Sequence, residues 1–162
     1  MMQAKFRPDK AVNLLSWLIP VTYLIHIAEE YWGGEGYPAY IYRLRGVYLP
    51  PSRFLVAQAI GFVLVVMAVI LARQFNFPTM MLVILYTTVM GNALTHTFGA
   101  LTTLSYNPGL LSSLLIWLPL AVFVLARFKR EVSPQRYWLA IAIGVGINVA
   151  IGVITMRGGR LV

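Results

Sequence analysis

Residues 11–32 read AVNLLSWLIPVTYLIHIAEEYW, an apolar run long enough to cross a bilayer as a helix, with a charged pentapeptide near its end. The pentapeptide His26-Ile27-Ala28-Glu29-Glu30 holds one of the two histidines and two of the five acidic residues of the chain. Ionisable groups are costly inside a bilayer, by about 2.5–3.5 kcal/mol each at a helix centre on insertion scales. We therefore expect these three side chains to be paired, hydrated at the interface, or coordinating a ligand.

The composition of the whole chain is that of a polytopic membrane protein. Its 162 residues are 59% hydrophobic and 11% charged, and a water-soluble domain this apolar would expose large patches and aggregate. The formal charge is +8, but the basic residues lie between apolar segments rather than in one stripe. This distribution argues against a nucleic-acid partner and indicates contact with lipid headgroups. The absence of cysteine excludes disulfides, thiolate catalysis and cysteine-ligated metal sites.

Hydropathy predicts an all-α transmembrane bundle of about five spans, forming a single domain over residues 1–162. The predicted spans are residues 11–32, 51–73, 78–100, 107–126 and 136–156. Helices are favoured over a barrel because the apolar runs are long and continuous rather than alternating. Pro20 and Pro119 lie inside two of these spans and are expected to kink them.

The distribution of lysine and arginine predicts the orientation of the chain in the membrane. If the N-terminus is cytoplasmic, eight of these residues fall on inner segments and five on outer ones. The inner set is Lys5, Arg7, Lys10, Arg73, Arg127, Lys129, Arg130 and Arg136, and the outer set is Arg43, Arg45, Arg53, Arg157 and Arg160. The difference favours a cytoplasmic N-terminus by a narrow margin.

The connector at residues 33–50, GGEGYPAYIYRLRGVYLP, is the least membrane-like part of the chain. Its middle, from Ala39 to Leu44, can form a short interfacial helix or an extended segment. Two interpretations fit the composition. The connector is either an anchor at headgroup level, or a lid whose Arg43 and Arg45 meet an anionic group of a substrate.

Polar residues of two different spans are expected to lie at the same depth. One face of the first span carries three ionisable side chains at positions i, i+3 and i+4, namely His26, Glu29 and Glu30. One face of the third span carries two polar side chains at i and i+4, namely Asn92 and His96. The end of span one, the end of span three and the start of span four lie on the same side of the membrane, whichever way the protein is inserted. The sequence therefore predicts one polar cluster beneath the 33–50 connector and the 101–107 loop.

Two imidazoles, two carboxylates and an amide are the ligand types of a zinc or iron site. In this hypothesis His26, Glu29 and His96 hold the metal and leave a position open for water. Glu30 then acts as general base, although the choice between the two glutamates is open. Asn92 either ligates the metal or donates to an oxyanion.

A third polar motif, Tyr106-Asn107-Pro108-Gly109, precedes the fourth span. Asn107 as N-cap with Pro108 at the first helical position is ordinary chemistry for a helix start. Tyr106 can in addition point its phenol into the cluster as an acid or a hydrogen-bond donor.

These motifs together resemble those of a known family. His26-x-x-Glu29-Glu30, Asn92-x-x-x-His96 and Tyr106-x-Pro108-Gly109, in this order in an apolar chain, resemble the HXXEE family of integral membrane proteins. The resemblance covers roughly residues 20–110. The family has no established reaction and is suspected to be enzymatic because of these polar residues, so the resemblance implies which residues matter but not what the substrate is.

The leading functional hypothesis is a metal-dependent membrane enzyme. It would hydrolyse or otherwise modify a lipid-like amphipathic substrate that enters from the bilayer, with its head at the cluster. The alternatives are a proton- or ion-coupled carrier that uses the same ionisable groups, a haem protein with His26 and His96 as axial ligands, and a non-catalytic lipid-binding or scaffold protein. The sequence does not define the oligomeric state.

Overall fold

The computed structural model describes residues 10–157, so Lys5, Arg7 and Arg160 of the orientation count lie outside the described residues. Six helices and no strand are present in this range. They are α1 (Lys10–Trp32), α2 (Tyr37–Arg45), α3 (Pro51–Gln74), α4 (Pro78–Thr103), α5 (Leu110–Phe128) and α6 (Pro134–Arg157).

Every helix except α2 is long and apolar enough to cross a membrane, which confirms the predicted five-span helical bundle. The expected interfacial element of the 33–50 connector is a helix, α2, that extends from Tyr37 to Arg45. Because consecutive spans alternate in direction, the ends of α1 and α4 and the start of α5 lie on one side together with α2. We call this side the site face.

Helix α4 is the centre of the bundle and contacts each of the other four spans. Its side chains Leu82, Val83, Tyr86 and Ala93 are at most 1% exposed, so this helix supplies much of the core. The phenol of Tyr86 donates a hydrogen bond to the backbone oxygen of Leu15, at 3.0 Å, and so ties α4 to α1. Such polar contacts between spans stabilise helix pairs where lipid offers no hydrogen-bond partner.

Helix α6 packs closely on α4 because a glycine lies at the contact. A Cβ atom at Gly144 would lie 2.6 Å from the backbone oxygen of Ile84 and 2.7 Å from Cβ of Thr87. The close approach allows two hydrogen bonds between the helices, from Thr88 Oγ1 to the Gly144 oxygen (3.2 Å) and from Asn148 Nδ2 to the Thr88 oxygen (3.3 Å). Small residues with interhelical hydrogen bonds are a common way of joining membrane helices.

Helix α5 is interrupted by a π-helical turn at Ser113–Trp117. Pro119 follows after Leu118 and has no N–H to donate to the carbonyl four residues before it, which accounts for an irregular turn at this place in the helix. The π turn matters for the site because Ser112 lies at its start and Trp117 at its end.

The contact between α4 and α6 gives a first prediction. Gly144→Val should destabilise the protein by about 1–3 kcal/mol because the added side chain meets backbone that cannot move aside. Gly146→Val is the matched control, since no heavy atom lies within 4 Å of a Cβ at that position. Thermal unfolding in detergent, followed by tryptophan fluorescence, should show a Tm lower by several degrees for Gly144→Val only. Equal Tm values for the two variants would show that this contact does not hold α6 in place.

Candidate metal centre

Three buried side chains of the site face converge on one point: His26 and Glu30 from α1 and His96 from α4. His26 and Glu30 share a face of α1 because they are four residues apart. Oε1 of Glu30 lies 3.6 Å from Nε2 of His26 and 3.3 Å from Nε2 of His96. All three residues are at most 4% exposed. One possible ligand atom from each lies within 4.8 Å of the other two, so the three together can hold a metal ion.

The hydrogen bonds of Ser112 assign the tautomer of His26. Nδ1 of His26 lies 2.8 Å from the Ser112 hydroxyl, and that hydroxyl donates to the backbone oxygen of Gly109 at 3.3 Å. Since the hydroxyl hydrogen is used in this way, Nδ1 of His26 carries the proton and donates to Ser112. The lone pair of the neutral imidazole is therefore on Nε2, which faces Glu30.

Asn107 assigns the tautomer of His96 in the same way. Nδ1 of His96 lies 3.0 Å from Oδ1 of Asn107, an atom that only accepts hydrogen bonds. The amide is oriented because its nitrogen donates to the backbone oxygen of His96 at 3.3 Å. The prediction that Asn107 is the N-cap of the fourth span is therefore wrong, because α5 begins at Leu110 and its N-cap is Gly109. The Asn107 side chain binds His96 instead.

The second oxygen of Glu30 is held by α3. Nε2 of Gln58 donates to Oε2 of Glu30 at 2.7 Å, and Oε1 of Gln58 accepts a hydrogen bond from the Tyr23 hydroxyl, also at 2.7 Å. Gln58 is not among the site residues predicted from the sequence. Its signal was present, because it is the only polar side chain between Arg53 and Arg73 in an otherwise apolar span.

In these two tautomers, the centre of the cluster contains hydrogen-bond acceptors and no donor. Both Nε2 atoms are lone-pair acceptors in the neutral tautomers, and the Glu30 oxygen that faces them is an acceptor as well. Three acceptors that face one another without a donor are unfavourable in a site shielded from water. Either a cation or added protons on the imidazoles can satisfy this arrangement.

Gly109 and Trp117 close the cluster from the α5 side. A Cβ at Gly109 would lie 2.8 Å from Cε1 of His26, 2.9 Å from Cε1 of His96 and 3.0 Å from Cγ of Glu30. Gly109 also has a φ of +94°, which disfavours any other residue. The Trp117 indole stacks on the His26 ring with centroids 3.8 Å apart, and its N–H donates to Thr22 at 3.2 Å.

Glu29 faces α5 rather than the histidines. Its carboxylate accepts hydrogen bonds from the backbone N–H groups of Leu111 (2.8 Å) and Ser112 (2.6 Å). These are the second and third residues of α5, whose N–H groups have no partner within the helix. No side chain of the local segment caps this helix start, so Glu29 does so from α1. Glu30 therefore lies with the imidazoles and Glu29 holds the start of α5. The roles predicted from the sequence, Glu29 as metal ligand and Glu30 as general base, stay predictions, and the position predicted for Glu29 beside the imidazoles is occupied by Glu30.

Tyr106 belongs to the Glu29 part of the site. Its hydroxyl donates to Oε1 of Glu29 at 2.6 Å. Burial raises the pKa of the Tyr106 phenol, and the hydrogen bond to Glu29 and the charge of that carboxylate raise it further. The phenol therefore stays protonated and donates to Glu29. Its predicted role as a catalytic acid or donor within the cluster stays a prediction.

The other predicted site residues lie outside the three-residue group. Asn92 is one turn before His96, and within the described chain its buried Oδ1 has no hydrogen-bond partner. Its role as ligand or oxyanion donor stays a prediction. Arg43 forms an ion pair with Glu35 at 2.6 Å and lies over the Tyr40 ring, so its guanidinium already has an acidic partner. Arg45 is exposed at the end of α2.

Fold and site define a multi-pass membrane protein with a buried cluster of two histidines and a carboxylate near one end of its helical bundle. The chain belongs to the HXXEE family, whose model, described as a protein of unknown function with HXXEE motif, matches residues 17–124, or 108 of the 162 residues. The match begins in α1 and ends in α5, so it contains every residue of the centre and leaves α6 outside. No curated protein and no solved structure matches the chain significantly.

The position of Gly109 gives a second prediction. Gly109→Ala should disrupt the cluster, because a methyl group there meets both imidazoles and adds overpacking of about 1–3 kcal/mol to a backbone cost of about 1–2 kcal/mol. Gly46→Ala is the matched control, since Gly46 also has a positive φ (+65°) but no atom within 4 Å of its Cβ position. Thermal unfolding should give a clearly lower Tm for Gly109→Ala. If both variants lose the same stability, the close packing of Gly109 on the imidazoles is not important.

Proposed function

We propose that this protein is a metal-dependent membrane enzyme in which His26, Glu30 and His96 hold one divalent ion, zinc or iron. The reaction class that we propose is hydrolysis of an amphipathic, lipid-like substrate. The proposal keeps the ligand types predicted from the sequence and replaces Glu29 by Glu30 as the carboxylate ligand.

The separations between the ligand atoms are the observation that carries this proposal. Ligands about 2.1 Å from a tetrahedral zinc ion lie about 3.4 Å from one another. The separations of Oε1 of Glu30 from the two imidazole nitrogens are 3.3 and 3.6 Å, and one ligand atom of each of the three residues lies within 4.8 Å of the other two. A direct charge-assisted hydrogen bond is shorter, at about 2.7–2.9 Å. The spacing therefore fits ligands around a common ion better than an ion pair in direct contact.

The outer partners of the three ligands support the same conclusion. Metal-bound histidines usually donate their second ring N–H to an oxygen, and metal-bound carboxylates are themselves hydrogen-bonded. Ser112 accepts from His26, Asn107 accepts from His96, and Gln58 donates to Glu30. A network that only joined helices would not need both imidazoles to direct their lone pairs to one point.

A bound zinc or iron ion would polarise a substrate carbonyl and lower the pKa of a coordinated water to near neutrality. The protein groups would hold the ion in place and exclude bulk water, since all three ligands are buried. Glu29 is not free to act as a base, because it accepts three hydrogen bonds at the start of α5. In the hydrolysis, water would add its hydroxyl to the acyl carbon and its other proton to the leaving group.

The depth of the centre supports an amphipathic substrate. His26 lies about 8 Å below the aromatic residues at the end of α1, by the rise of about 1.5 Å per residue. This depth is near the boundary between headgroups and hydrocarbon. A molecule with a polar head and an apolar chain reaches this depth with its head at the metal and its chain among the helices.

We also propose that the site face is extracytoplasmic. Of the lysines and arginines in residues 10–157, Lys10, Arg73, Arg127, Lys129, Arg130 and Arg136 belong to the opposite side, and Arg43, Arg45, Arg53 and Arg157 belong to the site face. Short membrane loops rich in lysine and arginine stay in the cytoplasm.

A proton-coupled carrier is the second candidate function, because protons on the imidazoles would also satisfy the acceptors at the centre of the cluster. In that case His96 and Glu30 would form an ion pair, and their 3.3 Å separation is within the range of such a pair. Metal analysis separates the two functions.

The test is the zinc content of detergent-purified protein that carries no histidine tag. The wild type should bind one equivalent of zinc. Each of the variants His96→Ala and Glu30→Gln should lower the zinc affinity by more than about 100-fold, because loss of a residue that only hydrogen-bonds to a metal ligand lowers it by about 10- to 100-fold. Glu29→Gln should keep the zinc site but lower the Tm by a few degrees, because a cap worth about 1 kcal/mol is weakened. Elemental analysis and competition with a chelator measure the first effect, and thermal unfolding measures the second.

Thr95→Ala is the control for His96→Ala, because it removes an exposed polar side chain of the same helix, whose hydroxyl donates to the backbone oxygen of Gly91. A wild type without bound metal after zinc or iron supplementation would contradict the enzyme proposal. Vesicle uptake that depends on a proton gradient and is abolished by Glu30→Gln would then favour the carrier. Zinc loss in Glu29→Gln together with zinc retention in Glu30→Gln would reverse the assignment of the two glutamates.

A further inference from the structure

Helix α2 covers the metal centre through aromatic packing. The Tyr37 ring lies 6.0 Å from the His96 ring and 5.9 Å from the Phe54 ring, by their centroids. Burial and the charge of Glu30 raise the pKa of the Tyr37 phenol, in keeping with its place above the centre. Tyr40, one turn further along α2, is only 2% exposed.

The polar contacts of α2 do not reach the bundle. In the described structure, the hydrogen bonds around α2 run from Gly36 to Gly33, from Tyr40 to Gly36 and from Gly46 to Tyr42. Among the described residues, the one backbone hydrogen bond that joins residues 33–46 to the bundle, from Gly33 to the Glu29 oxygen at 2.7 Å, lies before α2, where the segment leaves α1. The ion pair between Arg43 and Glu35 also stays within residues 33–46. By contrast, side-chain hydrogen bonds around the centre join α1 to α3 through Tyr23 and Gln58, and α1 to α5 through His26 and Ser112. Helix α4 is joined to the loop before α5 by the hydrogen bond between His96 and Asn107. Helix α2 is therefore the element above the site that can move without breaking a polar contact with the bundle.

The hydroxyl of Tyr40 is a buried donor without a hydrogen-bond partner. It points to the bare Cα of Gly99, where a Cβ atom would lie 3.4 Å from the hydroxyl and 2.6 Å from Nδ2 of Asn107. Nδ2 uses one N–H for the backbone oxygen of His96, and an amide nitrogen carries a second. The Tyr40 hydroxyl and the second N–H of Asn107 Nδ2 are therefore two hydrogen-bond donors beside Gly99 that have no acceptor in the described structure.

The position of these donors relative to the metal ligands indicates what they can bind. Gly99 is three residues after His96 on α4, which places it about 4.5 Å nearer the membrane surface. A group bound there would lie above the reacting atoms, at the level of a substrate head. Buried donors that lack a partner in the free protein are costly, and a ligand oxygen would satisfy them.

We propose that Tyr40 and Asn107 form a subsite for an acceptor oxygen in the head of the amphipathic substrate, and that α2 is the lid that opens to admit it. The inference rests on the proposed function, because it takes the metal centre as the place of reaction. Tyr40 is a substrate-binding residue in this arrangement, and Tyr37 closes the lid over His96. The subsite favours carbonyl, carboxylate or phosphate oxygens next to the group that reaches the metal.

The lid is tested by the reactivity of the two histidines, which are the only ones in the chain and both belong to the centre. Carbethoxylation of zinc-free protein without a histidine tag, followed by absorbance near 240 nm, should be slow in the wild type. Tyr37→Ala should accelerate it several-fold, because the aromatic contact with His96 is lost. Trp32→Ala, which removes an aromatic side chain that is 76% exposed, is the control and should keep the wild-type rate. Equal rates for Tyr37→Ala and the wild type at temperatures well below both Tm values would overturn the lid.

The subsite is tested with dodecanohydroxamic acid, a metal-binding head on a twelve-carbon chain, added to zinc-loaded protein. Tyr40→Phe should weaken its binding by about three- to tenfold, the effect of one hydrogen bond. The same variant should keep its zinc, and its Tm without the probe should equal or exceed that of the wild type, because the unpartnered hydroxyl is removed. Tyr48→Phe is the matched control, since Tyr48 is 69% exposed and lies outside α2.

Each result decides between the two proposals. Equal affinity of Tyr40→Phe and wild type for the probe overturns the subsite. Zinc binding by the wild type without binding of the probe also overturns the subsite and leaves the metal centre standing. Failure of the wild type to bind zinc overturns the proposed function and the subsite with it.

Discussion

A carboxylate buried between two imidazoles is the constraint on which the rest of this bundle depends. Removing a charged group from water costs several kcal/mol even after the protein relaxes, so Glu30 needs partners from every side. They come from four helices and a loop: His26 on α1, Gln58 on α3, and His96 on α4, with Ser112 of α5 and Asn107 of the preceding loop orienting the imidazoles. These elements must meet at one depth for the network to form. Helix α6 supplies none of these contacts and packs on the other side of α4.

The two adjacent glutamates have separate roles because neighbouring residues on a helix point about 100° apart. Glu30 faces the imidazoles, whereas Glu29 faces the start of α5. The roles are connected through Ser112, whose backbone N–H binds Glu29 and whose hydroxyl binds the His26 ring. This connection gives a physical reason for finding both carboxylates in one motif.

Much of the fold could be predicted from hydropathy alone, because five apolar runs separated by charged and turn-forming residues leave little choice in a bilayer. The meeting of His26 with His96 followed from the alternation of the spans. The choice between Glu29 and Glu30 did not, since a difference of one residue on a helix is decided by the neighbours that pack there. Asn107 was misread because its local sequence fits a helix cap, and only the fold brings the His96 ring within reach of its amide. Gln58 was visible as a lone amide in an apolar span, but its partner could not be found without knowing that α3 packs against α1 near Tyr23.

Because Trp117 stacks on His26, the fluorescence of this tryptophan depends on the state of the buried centre. Trp117 is 2% exposed, whereas Trp17, Trp32 and Trp138 are at least 40% exposed, so it is the tryptophan that is shielded by the protein itself. An indole in face contact with an imidazole responds to any charge that the imidazole acquires, since the π-face attracts cations. Protonation or coordination of His26 should therefore change the fluorescence of the unmodified protein. The state of the buried ring can thus be followed in the purified protein without a label.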